Sequence, residues 1–205
     1  MANREVHVFE RSGIAALSDL QSHESKAIYS LLEKEQREFL IKEDHFRTSE
    51  YKWPRDPLHT WSRIWEYPNT YHHLKQWRDS RKNTEAALHG VDLGSGVTFF
   101  PFSVARLGYR VTCVDIDPIV SVDLPKAVRI IDHGPGQVDS RLCDNSNLPF
   151  VDGEVDAVYC VSVLEYIPDF ENTIEKVFRV LKPVGLFILT IDLDSCGYLD
   201  IGVNQ

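Results

Sequence analysis

Val91-Asp92-Leu93-Gly94-Ser95-Gly96 is the stretch that decides the fold. A short apolar run carrying an acid leads straight into two close glycines, the pattern of a strand that ends in a ligand-facing loop. A second apolar run, residues 110–114, ends in Asp115. It lies about 20 residues on, the spacing at which an acid at the tip of a neighbouring strand meets a ribose. Residues 99–107 between the two runs read as a helix. Pro101 suits its first turn, where a missing N–H costs nothing, and Gly108 can take the left-handed position that closes it. Strand, helix and strand in this order predict a βαβ unit.

A loop of this kind serves two classes of ligand. A dinucleotide asks for G-x-G-x-x-G and a bare helix N-terminus to hold its pyrophosphate. Here Phe99 stands at the third glycine position, where it would crowd that approach, and Asp92 would repel a pyrophosphate beside it. The acid suits a cationic ligand instead, one carrying an ammonium and a sulfonium. S-adenosylmethionine is such a ligand.

Four further segments follow in order. Val111-Thr112-Cys113-Val114-Asp115-Ile116-Asp117-Pro118 is the second, and Cys143-Asp144-Asn145, with Leu148-Pro149-Phe150 and Val155-Asp156-Ala157-Val158, the third. The fourth is Val161-Ser162-Val163-Leu164-Glu165-Tyr166-Ile167 and the last Arg179-Val180-Leu181-Lys182-Pro183-Val184-Gly185. From about residue 87 to residue 194 the chain resembles the class I S-adenosylmethionine-dependent methyltransferases of the type 11 group. It departs from their pattern at Val97 and Val184, where glycines are usual, and at Tyr166, where histidine is frequent. The resemblance implies that Asp92, Gly94, Ser95 and Gly96 hold the cofactor and that Asp115, followed by Ile116, takes the ribose hydroxyls. It implies too that Asp144 contacts the adenine amino group with Asn145 against the ring, and that Val161 and Ser162 form the strand-end segment. S-adenosylhomocysteine would be the product.

Read independently, the segments predict the same architecture. Apolar runs at Val91, 111–114, 155–161 and 186–191 are short, rich in β-branched residues and separated by helical stretches, which argues for an α/β fold, Rossmann-like and doubly wound around a mainly parallel sheet. In residues 170–181, Phe170, Ile174, Val177, Phe178 and Leu181 share one helical face, with a break at Lys182-Pro183. In such a sheet ligands lie beyond the carboxyl ends of the strands, where Gly94, Asp115, Asp144 and Ser162 are expected to converge.

Composition limits the alternatives. With 205 residues and 43% hydrophobic content the chain can bury one substantial core. It has no run of about 18 apolar residues and no signal-peptide core at its start, so the expectation is a soluble cytoplasmic protein. Cys113, Cys143, Cys160 and Cys196 lack C-x-x-C spacing and read as free thiols, and no metal-ligand spacing is evident. Residues 1–83 carry 14 Lys and Arg against 13 Asp and Glu, whereas residues 84–205 carry 8 against 18, so +1 and −10 make up the net −9. So acidic a half argues against nucleic acid, which calls for a basic face.

Residues 1–83 form a helical, tryptophan-rich extension or lid ahead of a cofactor-binding domain at 84–205. A helix is expected from Ser22, as cap, to about residue 42. Residues 51–68 then hold three of the four tryptophans between prolines, rigid apolar walls suited to a ligand pocket, with Trp61, Trp65 and Tyr67 as pocket candidates. Methyl transfer asks for positioning and exclusion of water, and for a base only where the acceptor arrives protonated. By residue type the base candidates are His59, His72, His73, Glu165 and Tyr166, the last two beside the expected cofactor site. Beyond the resemblance only the eleven residues 195–205 remain, too few for the family's closing helix and strand pair; the expectation is either a shortened chain or a sheet that stops at five strands, its edge exposed, covered by the extension or paired in a homodimer. Two readings stand: O- or N-methylation of a small molecule or sugar-like metabolite, and a catalytically silent cofactor-binding or regulatory partner.

Overall fold

The computed structural model describes residues 7–10, 12, 16, 18–60, 62–81, 86–143 and 147–192. Five parallel strands, β1 (His89–Leu93), β2 (Arg110–Asp115), β3 (Gln137–Leu142), β4 (Val155–Val161) and β5 (Leu181–Thr190), lie in the order β3-β2-β1-β4-β5. The helices are α1 (His23–Ile41), α2 (Arg63–Asp79), α3 (Phe100–Arg106), α4 (Pro118–Val128) and α5 (Phe170–Val180). The fold is α/β and Rossmann-like, as expected. The chain winds outward from β1 to β3 and then returns to lay β4 on the other side of β1. That reversal opens a crevice beyond the carboxyl ends of β1 and β4.

Local chemistry sets the element ends. The Ser22 hydroxyl accepts from Ser25 N at 3.1 Å and starts α1. Pro101 lies in the first turn of α3, and Gly108 closes it at φ +97°. Asp117 caps α4, accepting from Ile119 N at 2.9 Å. Side chains on one face of the sheet, among them Val111, Cys113, Ala157 and Tyr159, share a core with Leu32, Phe39, Leu74, Phe100 and Leu124 from α1 to α4. On the other face Val91, Val158 and Cys160 pack with Val177 and Val180 of α5. The extension and the sheet therefore share one core cluster.

Four details differ from the sequence expectation. β3 has no apolar run: it is an edge strand in which only Val138 is buried, so polar residues fill the remaining positions. The proline-broken stretch becomes helix in its second half, with Pro68 inside α2, where the ring is buried although its missing N–H removes a helical bond. On α5 the apolar stripe is wider than its contact with the sheet. Phe178 remains 66% exposed, edge-on to Phe187 of β5 at 6.5 Å, and Phe170 is exposed as well. Finally, β5 starts at Leu181, five residues before the apolar run, with a register shift opposite Val155 and Ala157. Cys113 and Cys160 are buried free thiols, Cys143 is partly buried, and Cys196 lies outside the described residues. No described helix is long and apolar enough to cross a membrane.

The shift in β5 places Val184 at φ +57°, 85% exposed. A left-handed β-branched residue costs roughly 1–2 kcal/mol, and this one gains little from burial. Val184→Gly is expected to raise the unfolding free energy by roughly 0.5–1 kcal/mol after the greater chain entropy of glycine is allowed for, read from the urea midpoint at unchanged m-value.

Candidate active site

The loop after β1 is fixed by four successive amides. Gly94 N and Ser95 N donate to Val114 O at 2.8 and 3.4 Å, Gly96 N to Asp115 Oδ2 at 2.8 Å, and Val97 N to the Tyr51 hydroxyl at 3.1 Å. Gly94 has φ +73°, and a Cβ there would lie 2.4 Å from a Val163 methyl carbon, so no other residue fits. A pyrophosphate cradle needs free amides, and here all four are engaged within the protein. Phe99 is not the obstacle: its ring is buried in the core, edge-on to Tyr67 at 5.5 Å.

Asp115 stands at the tip of β2. Its Oδ1 accepts from Asp117 N at 2.9 Å and its Oδ2 from Gly96 N. A carboxylate has about four lone-pair sites, so two remain for a vicinal diol. Burial pushes this carboxyl up, against the pull of the Asp117 and Gly96 amides. Asp92 lies one strand over, in register with Cys113 and Tyr159, and is buried beneath the loop rather than in its wall. Burial, with a smaller contribution from the charge of Asp115, raises its pKa well above the usual carboxylate range.

At the tip of β4, Ser162 holds φ +50°. Its N–H donates to Thr190 O at 3.1 Å and its hydroxyl to Glu66 Oε2 at 2.7 Å. Glu66 comes from α2, is buried, and has its carboxyl raised by that burial. Nearby, Asp192 N donates to Glu165 Oε1 at 3.3 Å and Ser62 Oγ to Asp192 Oδ1 at 2.7 Å. Glu165 is also raised by burial. One cavity of about 850 Å³ connects these strand tips. Gly94, Gly96, Asp115 and Ile116 line one part of it, and Trp53, Pro57, Arg63, Tyr166 and Asp192 another.

Residues 91–189 match the family described as "Methyltransferase domain". These residues form a methyltransferase domain. A ubiquinone biosynthesis O-methyltransferase of Xanthomonas oryzae pv. oryzae is 37% identical over 112 residues, covering 52% of this chain and 44% of that protein. An uncharacterized methyltransferase of Mycobacterium sp. is 30% identical over 134 residues, covering 63% of this chain and 49% of its own. The chain thus spans about half the length of the curated relatives it matches. The crystal structure of a "putative sarcosine dimethylglycine methyltransferase" from Galdieria sulphuraria shares the fold, with a TM-score of 0.50 and 20% identity over 60% of this chain and 45% of that one.

The cofactor of such a methyltransferase domain is S-adenosylmethionine, and the residues suit it: a spare pair of acceptor sites on Asp115, no vacant amide cradle, and buried acids that favour a cation. Of the residues singled out by sequence, Gly94, Ser95, Gly96, Asp115, Ile116, Val161, Ser162, Tyr166 and Tyr67 meet in the cavity wall. Asp144, Asn145 and Trp61 lie outside the described residues. Trp65 packs edge-on to Phe9 at 4.8 Å, away from the wall, and Trp53 takes the place among the lining residues. The three histidines lie elsewhere. His59 pairs with Asp56 at 2.8 Å, and His73 Nε2 meets Phe9 O at 2.9 Å. His72 stacks on His7 at 3.9 Å, with its pKa pushed down to about 4 by burial. Among the described residues no group of three metal-binding side chains occurs. Sequence reasoning missed Glu66 and Tyr51. A lone acid inside the Ile64-Trp65-Glu66-Tyr67-Pro68 run was the available signal for the first.

Because burial raises the Glu66 carboxyl, the unfolded chain ionises at lower pH than the folded one. Glu66 therefore stabilises fully only below the ordinary carboxylate range and loses that contribution as pH rises. Glu66→Gln keeps an oxygen for Ser162 and cannot ionise. Its melting temperature should match the parent near about pH 4 and exceed it near about pH 7, and parallel curves in thermal melts across that range would refute the assignment.

Proposed function

We propose that this chain methylates a hydroxyl or amino group of a small-molecule or sugar-like acceptor. What carries the reading is the single cavity that joins Asp115 and the glycine loop to a second wall of Trp53, Arg63, Tyr166 and Asp192, so that cofactor and acceptor share one space. When bound, S-adenosylmethionine supplies the methyl group on an activated sulfonium, for in-line transfer that leaves S-adenosylhomocysteine. Gly94, Ser95, Gly96, Asp115 and Ile116 hold the nucleoside end, with Asp144 and Asn145 at the base and Val161 and Ser162 at the tip of β4. Asp92, beneath the loop, supports it from the core.

The extension supplies the opposing wall. Residues 1–83 act as the lid over this domain, with Trp53 and Tyr67 excluding water around the acceptor. In this reading Tyr166, which lines the cavity, stands against the acceptor, while Glu165, outside that lining and with its carboxyl raised by burial, accepts from Asp192 N and acts as a positioning residue. The named activity of the Xanthomonas relatives, O-methylation in ubiquinone biosynthesis, supports a hydroxyl acceptor over an amine.

Calorimetric titration with S-adenosylmethionine and, separately, NAD tests the cofactor assignment. Saturable binding of the first alone is expected, weakened about tenfold or more in Asp115→Ala as a hydrogen-bond partner is lost. No binding to folded protein would refute it. In a screen of hydroxyl and amine acceptors, Tyr166→Phe should lower kcat by about tenfold while leaving cofactor affinity unchanged. Intact binding with no transfer to any acceptor would point to a silent, regulatory protein.

A further inference from the structure

We infer that Tyr51 is a cofactor-positioning residue, through which the extension engages the amino-acid arm of the cofactor by donating its phenolic O–H. The inference rests on the S-adenosylmethionine reading of the cavity. Tyr51 lies outside the family match, 40 residues before it, yet it lines the cavity at the glycine loop. Its hydroxyl oxygen accepts from Val97 N at 3.1 Å, and a Cβ on Gly96 would lie 2.8 Å from it. The adjacent amides of Gly96 and Val97 thus lead to two different groups, Asp115 and Tyr51, which flank the loop.

The oxygen of Tyr51 is engaged as an acceptor, but its proton has no acceptor among the described residues. Burial pushes the phenol up, so it keeps that proton. A ribose held at Asp115 would leave the amino-acid arm in the same cavity, whose wall Tyr51 shares with the glycine loop and Trp53. The arm ends in a carboxylate, and the surroundings suit one there. The Arg47 guanidinium carbon stands 4.2 Å over the centre of the Tyr51 ring, Arg47 Nη2 donates to Val97 O at 2.9 Å, and Arg47 Nε pairs with Glu43 Oε2 at 3.1 Å. Elsewhere the wall carries charges of both signs, Asp115, Asp169 and Asp192 with Arg63 and Lys176. Of these cations, Arg63 feels the opposing charges of Glu66 and Glu165. The Tyr51 hydroxyl is therefore the donor that the wall presents beside the loop, with Arg47 buried behind its ring.

Calorimetry of wild type and Tyr51→Phe with two probes tests this. S-adenosylhomocysteine carries the amino-acid arm, and 5′-methylthioadenosine lacks it. The ring and its stacking on Arg47 are retained in the variant. Affinity for the first probe should fall about tenfold, as for one lost hydrogen bond to a charged group, while affinity for the second stays within about twofold. Equal losses for both probes would mean that Tyr51 acts only through the shape of the loop, and no loss for either would mean that it is idle. Either result overturns the proposal while leaving the cofactor reading intact. A wild-type protein that binds neither probe overturns both.

Discussion

The hydrogen bond from Gly96 N–H to the Asp115 carboxylate ties the tip of β1 to the tip of β2. It orients Asp115 toward the crevice and consumes an amide that a phosphate would need. With Gly94 and Ser95 bound to Val114 O and Val97 to Tyr51, the loop has no donors left to offer an anion. Recognition therefore falls to the acceptor sites remaining on Asp115, which suit a diol rather than a pyrophosphate. A parallel βαβ unit supports more than one cofactor chemistry, and here the choice is made by how its loop amides are spent.

Around that bond the site collects buried acids. Asp92, Asp115, Glu66 and Glu165 all have carboxyls raised by burial, which is unfavourable for the empty fold at neutral pH. A cation in the cavity would relieve part of that cost, whereas a second anion would add to it. The left-handed Ser162 belongs to the same pattern. Its conformation is held from two sides, by Thr190 O and by Glu66, as strained residues at functional sites are when the surroundings over-determine them.

The residues that hold this arrangement in place come from well outside residues 91–189. Arg47 and Tyr51 brace the loop, Glu66 braces Ser162, and Ser62 meets Asp192. These contacts are possible because α1 and α2 bury Leu32, Phe39 and Leu74 in the same core as Phe100 and Tyr159, which fixes the extension against the sheet. The site is thus built by two parts of the chain that have little in common as sequence.

By itself the sequence determined the strand-end loop, the acid at Asp115, the helix between them and the parallel α/β fold, because each depends on residue types at short, fixed spacings. It left β3 unmarked, since an edge strand needs few apolar residues, and it widened the buried stripe of α5 to include Phe170 and Phe178, since periodicity gives a direction but not the breadth of the surface met. The same applies to the site. Gly94, Gly96 and Asp115 were legible because they are close in the chain and chemically distinctive. Glu66, Tyr51 and Trp53, and the removal of His72 and Trp65 from the wall, were decided only by the tertiary structure. Nothing local distinguishes a helix acid that meets Ser162 96 residues away from one that meets water. Packing of the extension on the sheet makes that distinction, because it sets which side chains are desolvated together.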